Sequence, residues 1–217
     1  MPRRLRTDIP GPDWRVGLEA LRDPGPGGLF APRLSRPLAL IVDVGFGRGE
    51  LLLALARSEP ERAYLGIEYS WKRVLKMTRR LAKTEIDNVR LVAASAEEGV
   101  AELAPGSVAG FWVNFPDPWP KKRHHRRRLL QPDFVRALAV RLMAGGFLEV
   151  ATDHEEYALA IHEVLAAEPL LENRCAPDAF RRTPPPRAPT AYELEWQALG
   201  RAAHYFSYQK VRGPAAE

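Results

Sequence analysis

The sequence predicts a single α/β domain: a doubly wound, mostly parallel sheet with helices on both faces, Rossmann-like in its winding. Three observations carry that prediction. Short apolar runs recur five times between residues 38 and 153. Segments of helical period separate them, as right-handed βαβ units require. The polar residues that could do chemistry fall where those runs end, and in such sheets ligands sit beyond the carboxyl ends of the strands.

The elements follow in order. Residues 1–37 hold seven prolines and five glycines with no apolar period, and read as an irregular arm preceding a domain over 38–217. "LALIVDVG" (38–45) reads as a buried strand and "ELLLALARS" (50–58) as a helix. "AYLGIE" (63–68) is the second strand, followed by a helix from Ser70, a plausible N-cap, to about Lys83. "NVRLVAA" (88–94) is the third strand, with a short helix near 96–103. "GFWVNF" (110–115) is the fourth. A helix over about 132–143 has Pro132 at its first position and stops before Gly145 and Gly146. "FLEVATD" (147–153) is the fifth strand and 154–167 a further helix. The rhythm then breaks into a Pro/Arg-rich loop (176–189), a helix near 190–200 and a final strand, "HYFSYQK" (204–210).

Composition narrows the function. At 217 residues, with 46% apolar and 27% charged residues, the chain can bury a substantial core. No run of 18 apolar residues and no signal-peptide pattern occurs, so a cytoplasmic protein without membrane contact is expected. One cysteine, Cys175, cannot build a disulfide framework or a thiolate zinc cluster, and no metal is expected. The net charge of +5 is concentrated in "KKRHHRRR" (121–128), and the rest of the chain is close to neutral. A dense basic run suits a polyanion.

"DVGFGRGE" sets Gly45, Gly47 and Gly49 between strand and helix, where glycine allows positive φ and close approach of a ligand. A dinucleotide fingerprint would need a third glycine at position 50, where Glu50 stands instead. Asp43 precedes the loop, so a pyrophosphate would meet carboxylates rather than bare N–H groups. Glu68, closing the second strand, is placed to accept hydrogen bonds from ribose hydroxyls. A nucleoside with a cationic tail and no phosphate meets these conditions: S-adenosylmethionine.

"D-V-G-F-G-R-G" resembles motif I of class I methyltransferases. "FPDPWPKKRHHRRRL", "ATD" at 151–153 and "T-A-Y-E" at 190–193 resemble signatures of the bacterial tRNA (guanine-N7)-methyltransferase family, over about residues 40–210. The resemblance implies cofactor contacts by Asp43, Glu68, position 95 and Asp117. It further implies catalysis by Asp117, and substrate contacts by Lys121, Asp153, Thr190, Ala191, Tyr192 and Glu193. The family usually carries Asp or Asn at position 95, and this chain has Ser95. The target implied is N7 of a guanine in the tRNA variable loop.

That chemistry suits the residues. Guanine N7 carries a free lone pair, so no base need remove a proton. Alignment, and negative charge near the base as it becomes cationic, are what help. A carboxylate, Asp153 or Glu193, could accept both donors of guanine's Watson–Crick edge. Asp153 could equally cap the next helix, and Thr190 with Glu193 fits a capping box. Trp119 is expected to pack under the turn, and His124 and His125 to face solvent. Lys122, Arg123, Arg126, Arg127 and Arg128 would hold tRNA phosphates, with Arg3, Arg4, Arg6, Arg181, Arg182 and Arg187 extending that surface. Monomer and homodimer stay open. So do an exocyclic-amine methyltransferase, a non-catalytic RNA-binding module and a dehydrogenase.

Overall fold

The computed structural model describes residues 9, 13–22, 29–30, 39–200 and 202–211. Among them, β1 (Leu40–Val44), β2 (Ala63–Ile67), β3 (Val89–Val92), β4 (Val108–Asn114), β5 (Leu142–Thr152), β6 (Leu171–Asn173) and β7 (His204–Lys210) form one sheet, ordered β3-β2-β1-β4-β5-β7-β6. β1 to β5 run parallel, and β7 lies antiparallel between β5 and β6. The chain winds outward from β1 to β3 and then returns to β4. A crevice therefore opens between the ends of β1 and β4, where the strand order reverses.

The strands are apolar on both faces because both are covered. Ile41, Tyr64, Leu91 and Trp112 face α1 (Glu50–Ser58) and α2 (Trp71–Leu81), meeting Leu51, Leu52, Val74, Met77 and Leu81. Val42, Val44, Leu65, Ile67, Phe111, Val113 and Val150 face the other way. They pack on α3 (Ala96–Glu102), α4 (Pro132–Arg141) and α5 (Glu155–Ala167) through Val100, Val135, Leu138, Tyr157 and Ile161. Each such fully buried side chain contributes about 1.5–3 kcal/mol. By the same alternation Asp43 shares a face with Ile41, so the one acid of β1 lies in the α1 layer. The last helix, α6 (Ala191–Ala198), precedes β7.

One expectation needs correction. β5 begins at Leu142, before the two glycines rather than after them, because the chain leaves α4 directly into the sheet. Gly145, at φ 77°, lets the strand kink there while the register against β4 shifts between Val108 and Gly110. The basic run, to which the sequence assigns no element, forms a 3-10 helix, Lys122–Arg127. The arm, in its described part, is docked. Trp14 is buried, its Nε1–H donates to the Ile86 carbonyl at 3.0 Å, and the backbone extends the sheet beyond β3, Val16 N–H donating to the Leu91 carbonyl and Leu91 N–H to the Trp14 carbonyl. A 3-10 helix, Leu18–Arg22, follows, with Arg22 paired to Glu102 of α3. Arg3, Arg4 and Arg6 lie outside the described residues.

Candidate active site

The glycine loop leaves β1 and turns into α1 with Gly45, Gly47 and Gly49 all at positive φ (72°, 59° and 77°). At Gly49 a Cβ would also sit 2.5 Å from Met77 Sδ, so only glycine fits between the loop and α2. Glu68, at the end of β2, braces this loop from below. Its carboxylate accepts from Gly47 N–H at 3.0 Å and Ser70 N–H at 2.9 Å, and lies 3.3 Å from Arg73 Nη1. A carboxylate offers about four lone-pair sites, so a ribose hydroxyl has the remaining one, or Arg73's once that half-exposed side chain swings away. Asp43 is buried 3% exposed, and burial pushes its pKa up to about 7, with nearby Glu68 adding to the rise and Arg187 opposing it.

Past β4 the chain makes the turn that holds Asp117. Phe115 and Trp119, each followed by proline, take φ values of 52° and 43°. Bulky residues rarely adopt this region, and each costs about 1–3 kcal/mol. The turn is held by the Phe115 N–H, which donates to the Ala151 carbonyl of β5 at 2.8 Å. Asp117 is exposed at its apex, and its carboxylate has no hydrogen-bond or ion-pair partner among the described residues. Two adjoining cavities meet there. One, of about 320 Å³, is lined by Asp43, Phe46, Asp153, Thr190 and Tyr192. The other, of about 380 Å³, is lined by Glu68, Tyr69, Ala94, Ser95 and Trp119. Gly45, Arg73, Asn114, Phe115, Pro116 and Asp117 belong to both.

Ser95 borders the second cavity, but its hydroxyl serves α3. It accepts from Glu98 N–H at 3.2 Å and donates to Glu98 Oε2 at 2.8 Å, a capping box the sequence reading did not notice. Trp119 is half-buried against the basic 3-10 helix, as expected. Arg127 lies over its ring at 5.0 Å, and His124 packs edge-on at 5.7 Å. The histidines are thus not free in solvent, and His125 Nε2 sits 3.3 Å from Glu156. Lys121, Lys122, Arg123, Arg126 and Arg127 are exposed, with Lys121 beside the turn but outside the lining of either cavity. Arg128 is the exception and a correction. It is buried over the Tyr157 ring at 4.9 Å, donates to the Pro118 carbonyl at 2.9 Å and pairs with Glu156 at 3.3 Å, so it braces the turn and cannot face a phosphate.

The second correction concerns Arg187 and Glu193. Arg187, grouped by sequence with a surface for RNA, is buried at its side chain. Its guanidinium lies over Trp112 at 5.2 Å, donates to Asn114 Oδ1 at 3.1 Å, and grips both oxygens of Glu193 at 2.7 and 3.0 Å. Glu193 also accepts from Tyr205 Oη at 3.1 Å and from Thr190 N–H at 2.6 Å. Burial would raise the Glu193 pKa, but the Arg187 and Thr190 hydrogen bonds outweigh it and hold the carboxyl below its ordinary range. With its acceptor sites filled, Glu193 cannot fork onto a base. It locks the 176–190 loop to the sheet, and with Thr190 it forms the capping box of α6, whose first residue is Ala191.

Asp153 is not locked in this way. It is not a helix cap, because His154 Nδ1 accepts the Tyr157 N–H at 3.3 Å in that role. It borders the first cavity, 3.4 Å from the Tyr192 hydroxyl, and the Tyr192 ring lies 4.9 Å from that of Phe115. The crevice therefore offers carboxylates, an aromatic wall and glycine backbone. The charged donors that line it are Arg48, Arg73 and, in the second cavity, Arg127, with the neutralised Arg187 behind. The acids Asp43, Glu50, Glu68, Glu97, Asp117 and Asp153 outnumber them, so the site favours a cation over a phosphate. No cluster of His, Cys, Asp and Glu that could hold a metal occurs among the described residues, nor any helix long and apolar enough to cross a membrane.

A nucleoside crevice at the switch point of an α/β sheet, lined by acids instead of phosphate-binding groups, defines the class I S-adenosylmethionine-dependent methyltransferases. Solved structures agree on the fold. The 16S rRNA (adenine(1408)-N(1))-methyltransferase from Catenulisporales acidiphilia superposes with a TM-score of 0.57 over 81% of this chain and 89% of that one, at 17% identity. The 16S rRNA methyltransferase KamB gives 0.57 over 80% and 88%, at 16% identity. The family described as "Putative methyltransferase" matches residues 38–206. Curated relatives are closer in sequence. The tRNA (guanine-N7-)-methyltransferase of Alkalilimnicola ehrlichii is 46% identical over 70% of this chain and 69% of its own. That of Halorhodospira halophila is 40% identical over 84% and 78%. This chain belongs to the tRNA (guanine-N7-)-methyltransferase family.

Proposed function

We propose that this chain methylates N7 of a guanine in the variable loop of tRNA, and that Asp117 is the catalytic residue. The observation that carries the reading is the placement of Asp117, an unpaired carboxylate where the two cavities join. The cavity with Glu68 suits the adenosine of S-adenosylmethionine, and Asp43 suits its ammonium group. Bound there, the cofactor supplies an electrophilic methyl group on a sulfonium.

The chain's own residues supply position and charge. Asp153 accepts N1–H and the N2 amino group of the guanine, which turns N7 toward the junction. Phe115 and Tyr192 give the base an apolar wall. Transfer of a methyl group from the bound cofactor to N7 would leave the base positively charged. Asp117 faces that developing charge from a turn too strained and too tightly held to reorganise. No proton leaves the base, so no general base is needed.

Labelled methyl transfer to unmodified tRNA, followed by chemical cleavage at N7-methylguanine, tests the proposal. A single cleavage in the variable loop is expected. Label on an exocyclic amine instead would favour the alternative chemistry. Tight RNA binding without transfer would favour a non-catalytic module.

A further inference from the structure

The cavity mouth has a second basic border that the sequence reading passed over. α2 reads WKRVLKMTRRL: it buries Val74, Leu75, Met77 and Leu81 and carries five cations and no acid. Lys72, Lys76, Arg79 and Arg80 recur at helical spacing, and Lys83 continues the line in the next turn. The stripe extends for about 16 Å at 1.5 Å per residue.

Its charge is largely uncompensated. Arg80 leans back to the Arg48 carbonyl and Arg73 to Glu68. The side chains of Lys72, Lys76 and Lys83 are exposed and make no hydrogen bond or ion pair among the described residues. This arrangement opposes helix stability. Like charges repel at i, i+4 (Lys72 with Lys76, Lys76 with Arg80), and Lys72 and Arg73 stand at the positive end of the helix dipole. Folding gains nothing from such a face, whereas a bound polyanion would.

Its head lies at the site. Arg73 borders both cavities and Tyr69 one of them. Tyr69 is 76% exposed, a large aromatic face of the kind on which unstacked bases rest, and Trp71, 44% exposed, carries Arg15 over its ring at 5.1 Å. α2 covers one face of the sheet, whereas the 3-10 helix Lys122–Arg127 leads into α4 on the other. The two basic surfaces therefore approach the crevice from opposite layers.

We infer that the exposed face of α2 is a second RNA-binding surface, which takes the phosphates on one side of the target nucleotide while the Lys122–Arg127 helix takes those on the other. This rests on the reading of tRNA as substrate. The test is a Lys72→Gln/Lys76→Gln/Lys83→Gln variant of the full chain, with tRNA affinity measured across a salt series. Affinity should fall roughly tenfold at 0.15 M salt, and the slope of log K against log salt should flatten by about 2 to 3. Calorimetric affinity for S-adenosylmethionine should stay at its wild-type value, the thermal midpoint should hold or rise as the like-charge repulsion is relieved, and transfer should recover at saturating tRNA. An unchanged salt slope, with wild-type protein methylating tRNA normally, overturns the inference. Wild-type protein that fails to methylate tRNA overturns the reading beneath it instead.

Discussion

Residues 116–128 and 181–193 are both written in proline and arginine around a single acid, yet their arginines meet opposite environments. In the first, Lys122, Arg123, Arg126 and Arg127 stay in water. In the second, Arg187 is buried on Trp112 with Glu193 across both its nitrogens. The difference is the company available. A guanidinium loses its hydration only where a carboxylate, further acceptors and an aromatic floor replace it. Glu193, Asn114 and Trp112 supply all three to Arg187, and Glu156, the Pro118 carbonyl and Tyr157 supply them to Arg128. Arg123 and Arg126 have no such set and remain outside.

Breaking the buried pair should give the largest effect. Arg187→Met leaves the Glu193 carboxylate uncompensated and should cost about 3–5 kcal/mol, read as a loss of unfolding free energy in denaturant. Adding Glu193→Leu should recover a large part of it, and no recovery would mean the pair contributes nothing as a pair. Next comes Asp117→Ala, expected to lower kcat for methyl transfer about 10²–10³-fold with the unfolding midpoint unchanged. Near-normal turnover would remove Asp117 from the chemistry.

A smaller effect concerns pH. The folded-state pKa of Asp43, about 7, lies above its ordinary 3.8. Its contribution to stability is therefore complete below the ordinary value and is lost as pH rises through about 7. A cationic cofactor favours the ionised form, so affinity for S-adenosylmethionine should rise about tenfold between pH 6 and pH 8. Calorimetry across that range checks this, and Asp43→Asn should flatten the profile. The smallest effect on stability should come from the exposed run. Lys122→Gln/Arg123→Gln/Arg126→Gln should shift unfolding free energy by no more than about 0.5 kcal/mol while weakening tRNA binding in a salt-dependent way. Arg128→Gln should do the reverse, lowering the thermal midpoint first. Equal behaviour of the two variants would erase the distinction between exposed and buried arginines.

The sequence by itself determined the winding of the sheet, the boundaries of α1 and β7, and the acids at the strand ends. Those are local or periodic properties. A continuous apolar run must be covered on both faces, a loop of three glycines must turn tightly, and Asp43, Glu68 and Asp117 follow from where strands stop. Only the tertiary structure decided which charges are spent. Arg187 looks free in one dimension, but Trp112, Asn114 and the Glu193 that Tyr205 also holds occupy it in three. The same holds for Arg128, for Trp14 on the edge of β3, and for the basic face of α2, whose position beside the cavity no run of residues reveals. Periodicity says which way a side chain points. Whether a partner waits there depends on residues scores of positions away, brought close only by the fold.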